Sequence, residues 1–336
     1  MLLKIHPFEL KFKHAFTISR MSKSTQHLLV TELVDGNLSG LGECTANSYY
    51  ETSLSQLSEI LERNREVIEN TQLTNPEQYW NELYPFFKEN MFALCALDIA
   101  AHDLYAQKQG KSLFELWDLD ISKNPVTDYT IGIDTIDNMV NKLKEMPWPI
   151  YKIKLGTKED IEIIRELRKH STSLFRVDAN CAWDVEETLN NAKELKKLGV
   201  EFIEQPMPAE LNHKMPYLLK HADLPLIADE SCIREEDVQF CAGKFHGINI
   251  KLSKCGGLTP ALRMIKKARH LNLKVMIGSM SESTVGMSAA AHLLPLVDYA
   301  DLDSPLLLAE DSAEGIKIEN GKIIYANRTG TGAKLF

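Results

Sequence analysis

Lys152 and Lys154 stand two residues apart in Ile150–Gly156, a stretch whose β-branched, aromatic and aliphatic residues read as a strand closed by glycine. Residues two apart on a strand point to the same face, so this pattern sets two ammonium groups side by side. Three carboxylates follow at the ends of later apolar segments: Asp178 after Leu174–Val177, Glu204 after Phe202–Ile203, and Asp229 after Leu226–Ala228. Another lysine, Lys251, ends Gly247–Ile250. Any one of these residues alone would be read as a helix cap or a surface charge. Together they suggest chemistry. Three carboxylates converging on one point repel unless a cation neutralises them. Hard oxygen ligands at a half-open site suit Mg²⁺, which keeps positions free for substrate oxygens. Lys154 and Lys251 would flank that metal on opposite sides, as two bases facing each other across a bound molecule. A neighbouring ammonium and a divalent cation both lower a lysine pKa, so Lys152 would tune Lys154 and contact a substrate carboxylate.

Such convergence requires a scaffold that brings strand ends to one mouth. Eight short apolar segments are expected as strands: Val126–Ile131, Ile150–Leu155, Leu174–Val177, Phe202–Ile203, Leu226–Ala228, Gly247–Ile250, Lys274–Ile277 and Tyr299–Leu302. They begin roughly 25 residues apart, the length of a strand, a helix and two short loops. Amphipathic helices fit between them at Asp160–His170, Val185–Leu198 and Pro260–Leu271. Eight such units are the signature of a (β/α)8-type barrel, whose chemistry lies at the C-terminal ends of its strands. Upstream, residues 1–46 read as β structure. They include a hairpin of Leu28–Val34 and Leu38–Glu43 turning at Gly36. Helical spacing over 52–70 and 91–109 completes a small α+β unit of about 118 residues.

Composition narrows the partners. A net charge of −9 argues against nucleic acid and against an anionic membrane surface. No apolar run is long enough to span a membrane, and the N-terminus lacks the pattern of a signal peptide. The six cysteines form no Cys-x-x-Cys pair, which disfavours zinc and dithiol sites and fits free thiols in the cytoplasm.

The strand-end segments Lys152-Ile153-Lys154, Asp178-Ala179-Asn180, Glu204-Gln205-Pro206, Asp229-Glu230-Ser231 and Ile248–Leu252 resemble, in order, those of the enolase superfamily, and more narrowly its muconate-lactonizing branch. The resemblance covers the whole chain. It implies an α/β fold, a (β/α)7β modified TIM barrel over 119–305. An N-terminal α+β capping domain over 1–118 would be completed by the returning segment 306–336. It also implies abstraction of a proton alpha to a carboxylate, with the enediolate held on one Mg²⁺ per subunit. Lys154 and Lys251 would be the acid/base pair, Lys154 serving the S configuration and Lys251 the R. Asp178, Glu204 and Asp229 would hold the metal, with Asn180 and Glu230 beside them.

Tyr299–Pro305 contains Asp301-Leu302-Asp303, similar to the Asp-x-Asp with which dipeptide epimerases bind a substrate ammonium. Two carboxylates on one strand face would suit that task. Phe16–Arg20 resembles a mobile capping loop in which an arginine grips a glutamate side chain. Arg20 would do so bidentately, and Lys23 beside it bears on the charge preference. Similarity at Thr127–Thr130 and Gly278–Ser283 adds Thr130, Ser279 and Met280 to the substrate contacts. The implied activity is Mg²⁺-dependent epimerisation of L-Ala-D/L-Glu in cell-wall peptide salvage, by an isomerase of the cytoplasm. Alternatives on the same scaffold are an epimerase of hydrophobic or cationic dipeptides, or a cycloisomerase or o-succinylbenzoate-synthase-type enzyme. A non-catalytic binding barrel would not need opposed lysines. The small-molecule dipeptide is the implied partner. A homo-oligomer is compatible with the family, though no segment reads as an interface.

Overall fold

The computed structural model describes residues 1–336. The chain opens with three antiparallel strands, β1 (Leu2–Ile18), β2 (Met21–Asp35) and β3 (Leu38–Thr45). Four helices follow: α1 (Leu54–Arg63), α2 (Arg65–Asn70), α3 (Pro76–Phe87) and α4 (Met91–Lys108). Asn75 caps α3 and Pro76 fills its first turn, where a missing N–H costs nothing. Helix α4 is apolar almost all round because it is a shared wall. Its Leu94 and Leu97 belong to the core of this N-terminal unit, while Cys95 and Ile99 belong to the core of the barrel.

β3 lies unusually close to α4, and two glycines permit it. A Cβ on Gly42 would fall 2.0 Å from the Ala96 carbonyl oxygen and 2.5 Å from the Ala100 nitrogen. Both obstacles are backbone and cannot turn aside. Gly42→Ala is therefore expected to destabilise the fold by about 3 kcal/mol or more, measured by urea unfolding. Gly36→Ala meets no neighbour within 4 Å, so it should carry only the milder cost of a left-handed turn residue (φ +63°).

The second unit is a parallel barrel of eight strands in sequence order: β4 (Tyr129–Ile131), β5 (Ile150–Lys154), β6 (Leu174–Asp178), β7 (Val200–Glu204), β8 (Leu226–Ala228), β9 (Gly247–Lys251), β10 (Lys274–Gly278) and β11 (Tyr299–Ala300). A bridge between Thr127 and Ala300 joins the first strand region to the last. A helix connects each of the first seven strands to the next, giving a (β/α)7β order. Two expected strands prove shorter by two residues or more, and Ile150–Leu155 ends one residue early, at Lys154. Before Tyr129 the chain keeps only the Thr127 bridge. After Ala300 it leaves the sheet for a short helix, Ser304–Leu307, whose first turn holds Pro305.

The C-terminal segment returns to the N-terminal unit. Leu308 bridges Phe12 of β1, and Asp103 of α4 accepts hydrogen bonds from the Thr331 amide and hydroxyl. A second tie is Glu43 of β3, which accepts from the Ser283 and Gly286 amides at the start of the helix Thr284–Ala291. This buried carboxylate offsets orphan donors at a helix N-terminus.

Candidate active site

Parallel register aligns the strand ends. Lys154 is level with Asp178, and Asp178 with Glu204. Lys152 and Lys154 both point into the barrel, as their spacing requires, with 0% and 6% exposure. They do not share one environment. Lys152 Nζ lies 2.7 Å from Asp301 Oδ2, 2.7 Å from Glu204 Oε2 and 3.6 Å from Asp178 Oδ2. Lys154 reaches only Asp178 Oδ2, at 2.6 Å. Across the mouth, Lys251 Nζ lies 2.8 Å from Asp229 Oδ2. The opening between them is a cavity, polar at its floor and bordered by Phe16 and Ile18 of β1 and by Met21 and Lys23 of β2.

Asp178, Glu204 and Asp229 bring three ligand oxygens within 4.8 Å of one another. Burial pushes the Glu204 carboxyl upward; Lys152 relieves part of this, and the Asp178 and Asp229 charges add to it. For Asp178, burial acts in the same direction, but Lys154 and Lys152 outweigh it and hold the group down. Asp229 is held lower still by Lys251 and Lys254, against burial. Reciprocally, Asp229 overcomes burial and keeps the Lys251 ammonium protonated. Tuning by Lys152 alone is thus an incomplete account, because three carboxylates already offset its charge.

The donor set fits a small divalent cation. All three ligands are hard oxygens. Glu204 Oε2 is buried and, despite its ion pair with Lys152, accepts no hydrogen bond of good geometry. A buried acceptor left this way is costly unless something else claims its lone pair. The opposite oxygen is fixed by Asn249 Nδ2 at 2.7 Å. Asn180 donates through its amide N–H to Asp178 Oδ1 at 2.8 Å and through its side chain to Oδ2 at 3.2 Å.

Asp301 and Asp303 lie beyond the end of β11, not on one strand face, because the chain turns there into the Pro305-containing helix. They still converge, and Thr130 is the meeting point. Its backbone N–H donates to Asp303 Oδ2 at 2.5 Å, and its hydroxyl to Asp301 Oδ1 at 3.5 Å. Lys152 holds Asp301 low against burial, whereas burial and the Asp301 charge push Asp303 upward. A second cation brought beside Asp303 would relieve that repulsion. Ser279 accepts from the Ser304 hydroxyl at 2.7 Å or donates to it, and Met280 closes the cavity beside Asn47.

Arg20 sits at the tip of the β1–β2 hairpin, between the paired Ile18 and Met21, and not in an open loop. Its guanidinium pairs with Glu230 Oε1 at 2.5 Å, donates to the Asn180 carbonyl at 3.0 Å and stacks over Tyr49 at 4.1 Å. It therefore latches the hairpin to the barrel through Asn180 and Glu230. Lys23, three residues on, also borders the cavity, but it has no carboxylate partner. It donates to Gln26 Oε1 and faces the rings of Phe12 and Phe16. Burial lowers its pKa to about 8.

Two residues that hold the clustered carboxylates escaped the sequence reading. Asn249 stands two before Lys251 on the same face of β9, and Lys254 stands three after it. The Asn-x-Lys-x-x-Lys spacing was their signal.

Residues 4–117 match the N-terminal domain of the mandelate racemase/muconate lactonizing enzyme family, and residues 135–335 match the enolase C-terminal domain-like family. The chain belongs to the enolase superfamily. An L-Ala-D/L-amino acid epimerase of Flavobacterium johnsoniae is 56% identical to this superfamily member over 335 residues, covering 100% of both chains. A protein of the same description from a Maribacter species is 50% identical, over 100% of this chain and 99% of its own. Among solved structures, a dipeptide epimerase of Cytophaga hutchinsonii, complexed with Mg and the dipeptide D-Ala-L-Val, superposes with a TM-score of 0.94. It is 26% identical and covers 99% of this chain and 95% of its own.

Proposed function

We propose that this chain is a Mg²⁺-dependent dipeptide epimerase that inverts the α-carbon of the C-terminal residue. The observation that carries the reading is the pair of lysines opposed across three clustered carboxylates, with Asp301 and Asp303 gathered beside them. Asp178, Glu204 and Asp229 would hold Mg²⁺, which supplies charge stabilisation to the substrate carboxylate as the α-proton leaves. Lys154 on β5 and Lys251 on β9 address opposite faces of that carbon. One accepts the proton from one face and the other returns a proton to the opposite face. Lys152, held between Glu204 and Asp301, positions both carboxylates and offsets their charge. Asp303, pushed up by burial and by Asp301, regains ionisation when a substrate ammonium enters.

The dipeptide's first residue would be alanine, by likeness to the two relatives above. Their description names D/L-amino acids at the second position, a wider class than glutamate. The cavity is consistent with that breadth. Arg20 is already engaged with Glu230, so an acidic side chain would meet Lys23 as the cation without a carboxylate partner. Lys23→Met should lower kcat/KM for L-Ala-L-Glu about tenfold relative to L-Ala-L-Leu. In the unaltered chain that preference should decline as pH rises through about 8, because Lys23 loses its charge there. The ratio of the two substrates cancels titration of the groups they share. A ratio flat in pH and unmoved by the substitution would rule out Lys23.

Proton NMR in D₂O tests the function itself. With L-Ala-L-Glu and Mg²⁺, the glutamate α-proton signal should vanish while the L,D diastereomer appears. N-acetyl-L-Ala-L-Glu should be inert, having no ammonium for Asp301 and Asp303. Turnover of the acetylated substrate at a comparable rate would sink the assignment of that pair.

A further inference from the structure

Lys254 has no place in the chemistry above, yet it is among the largest fully buried side chains, at 1% exposure. It sits on the short helix Leu252–Cys255 directly after β9. Its Nζ lies 2.6 Å from Asp229 Oδ1, 2.7 Å from the Asp229 carbonyl, 3.0 Å from the Cys232 carbonyl and 3.3 Å from the Asn249 carbonyl. Three N–H donors thus serve four acceptors, and three of those are fixed backbone. The turn that follows is clamped. Gly256 and Gly257 adopt left-handed φ values of +97° and +115°, and a Cβ on Gly257 would fall 2.3 Å from Asp98 Oδ2 of α4. Asp98 in turn accepts from the Thr259 amide at 2.8 Å. Lys254 has nowhere to swing.

Lys251 differs in each respect. It borders the cavity, at 8% exposure, and within its reach is the other oxygen of the same carboxylate, Asp229 Oδ2. The two lysines therefore divide Asp229 between them. One contact is caged and the other opens on the cavity. A cation arriving among Asp178, Glu204 and Asp229 can displace Lys251 from Oδ2, but it cannot displace Lys254 from Oδ1.

Resting on the metal reading of this site, we propose that Lys254 is a positioning residue that confines Asp229 to ligation through Oδ2 alone and thereby biases the site toward Mg²⁺ over Ca²⁺. Coordination sets the preference between the two ions, and charge sets the preference for a divalent one. Ca²⁺ favours six to eight oxygens and readily takes a carboxylate through both of its oxygens as well as through one, whereas Mg²⁺ accepts a few single-oxygen ligands in a tight octahedron. Charge is also matched. Three carboxylates and one caged ammonium leave two negative charges, which one divalent cation neutralises. Lys152 and Asp301, paired at 2.7 Å, add no net charge to that count. The displaced Lys251 is left free to meet substrate.

Titration calorimetry with MgCl₂ and CaCl₂, without substrate, tests this apart from turnover. The unaltered chain should bind Mg²⁺ more tightly than Ca²⁺. In Lys254→Met, which keeps the length of the stem, the Mg²⁺/Ca²⁺ affinity ratio should fall at least tenfold. Near-UV circular dichroism checks that the variant is folded. A folded variant with an unchanged ratio overturns the proposal. If the variant does not fold, a crystal structure of the unaltered chain with Mg²⁺ decides. Lys254 on Asp229 Oδ1 with the metal on Oδ2 supports the inference, and Oδ1 on the metal overturns it. An unaltered chain that binds no Mg²⁺ overturns the metal reading and this inference with it.

Discussion

Lys251→Ala is expected to lower epimerisation at least about 10³-fold while leaving one half of the reaction alive. In D₂O the variant should still exchange the α-proton of L-Ala-L-Glu, through Lys154, but form no L,D product. Lys154→Ala should show the mirror result, exchanging only the L,D substrate through Lys251. The expectation follows from the barrel. β5 and β9 are separated by β6, β7 and β8, so neither lysine can reach the face served by the other. The fold should tolerate the loss of Lys251, because Lys254 still holds Asp229 Oδ1. A single-face exchange pattern cannot come from a general loss of binding, which would slow both substrates alike. If each variant lost exchange of both epimers equally while still binding metal, the division of faces would be wrong.

Much of this site was legible because it is written in strand grammar. The period of two fixed Lys152 and Lys154 on one inward face. Regular spacing announced the eight strands, and their carboxyl ends named Asp178, Glu204, Asp229 and Lys251. Legibility failed where the grammar changes. Asp301 and Asp303 also keep a spacing of two, but the strand stops at Ala300, and their convergence depends on Thr130 from the opposite end of the barrel unit. Helix Thr284–Ala291 is buried on all sides, so it shows no amphipathic period. Arg20 was visible as a cation but not as a latch. Its partners Glu230 and Asn180 are 210 and 160 residues away, and no local pattern encodes a contact of that range. Glu43 and Ser283, 240 residues apart, were silent for the same reason. Local spacing thus gave the chemistry of each strand end, and long-range packing decided which ends cooperate.

Lys152→Met should be the most destabilising of the charge substitutions, and the reason separates its role from that of the two proposed bases. Lys152 has no exposure and stands between Glu204, Asp301 and Asp178. Methionine keeps most of the stem, so little packing is lost. What is lost is the only ammonium within reach of Glu204 and Asp301, leaving buried carboxylates uncompensated at a cost of about 3–5 kcal/mol in metal-free buffer. The deficit should shrink as pH falls. Carboxyl groups whose pKa is raised in the folded state bind protons more readily there than when unfolded, so stability rises as they protonate. Added Mg²⁺ should help the variant more than the unaltered chain, because it meets one more uncompensated negative charge. At a hundredfold excess over Kd, binding contributes about 2.7 kcal/mol of stability to either chain, and the tighter site gains more. Urea unfolding at pH 5 and pH 8, with EDTA or with MgCl₂, measures all three effects. A deficit independent of both pH and Mg²⁺ would mean that Lys152 fills space in the barrel floor and carries no electrostatic part of the site.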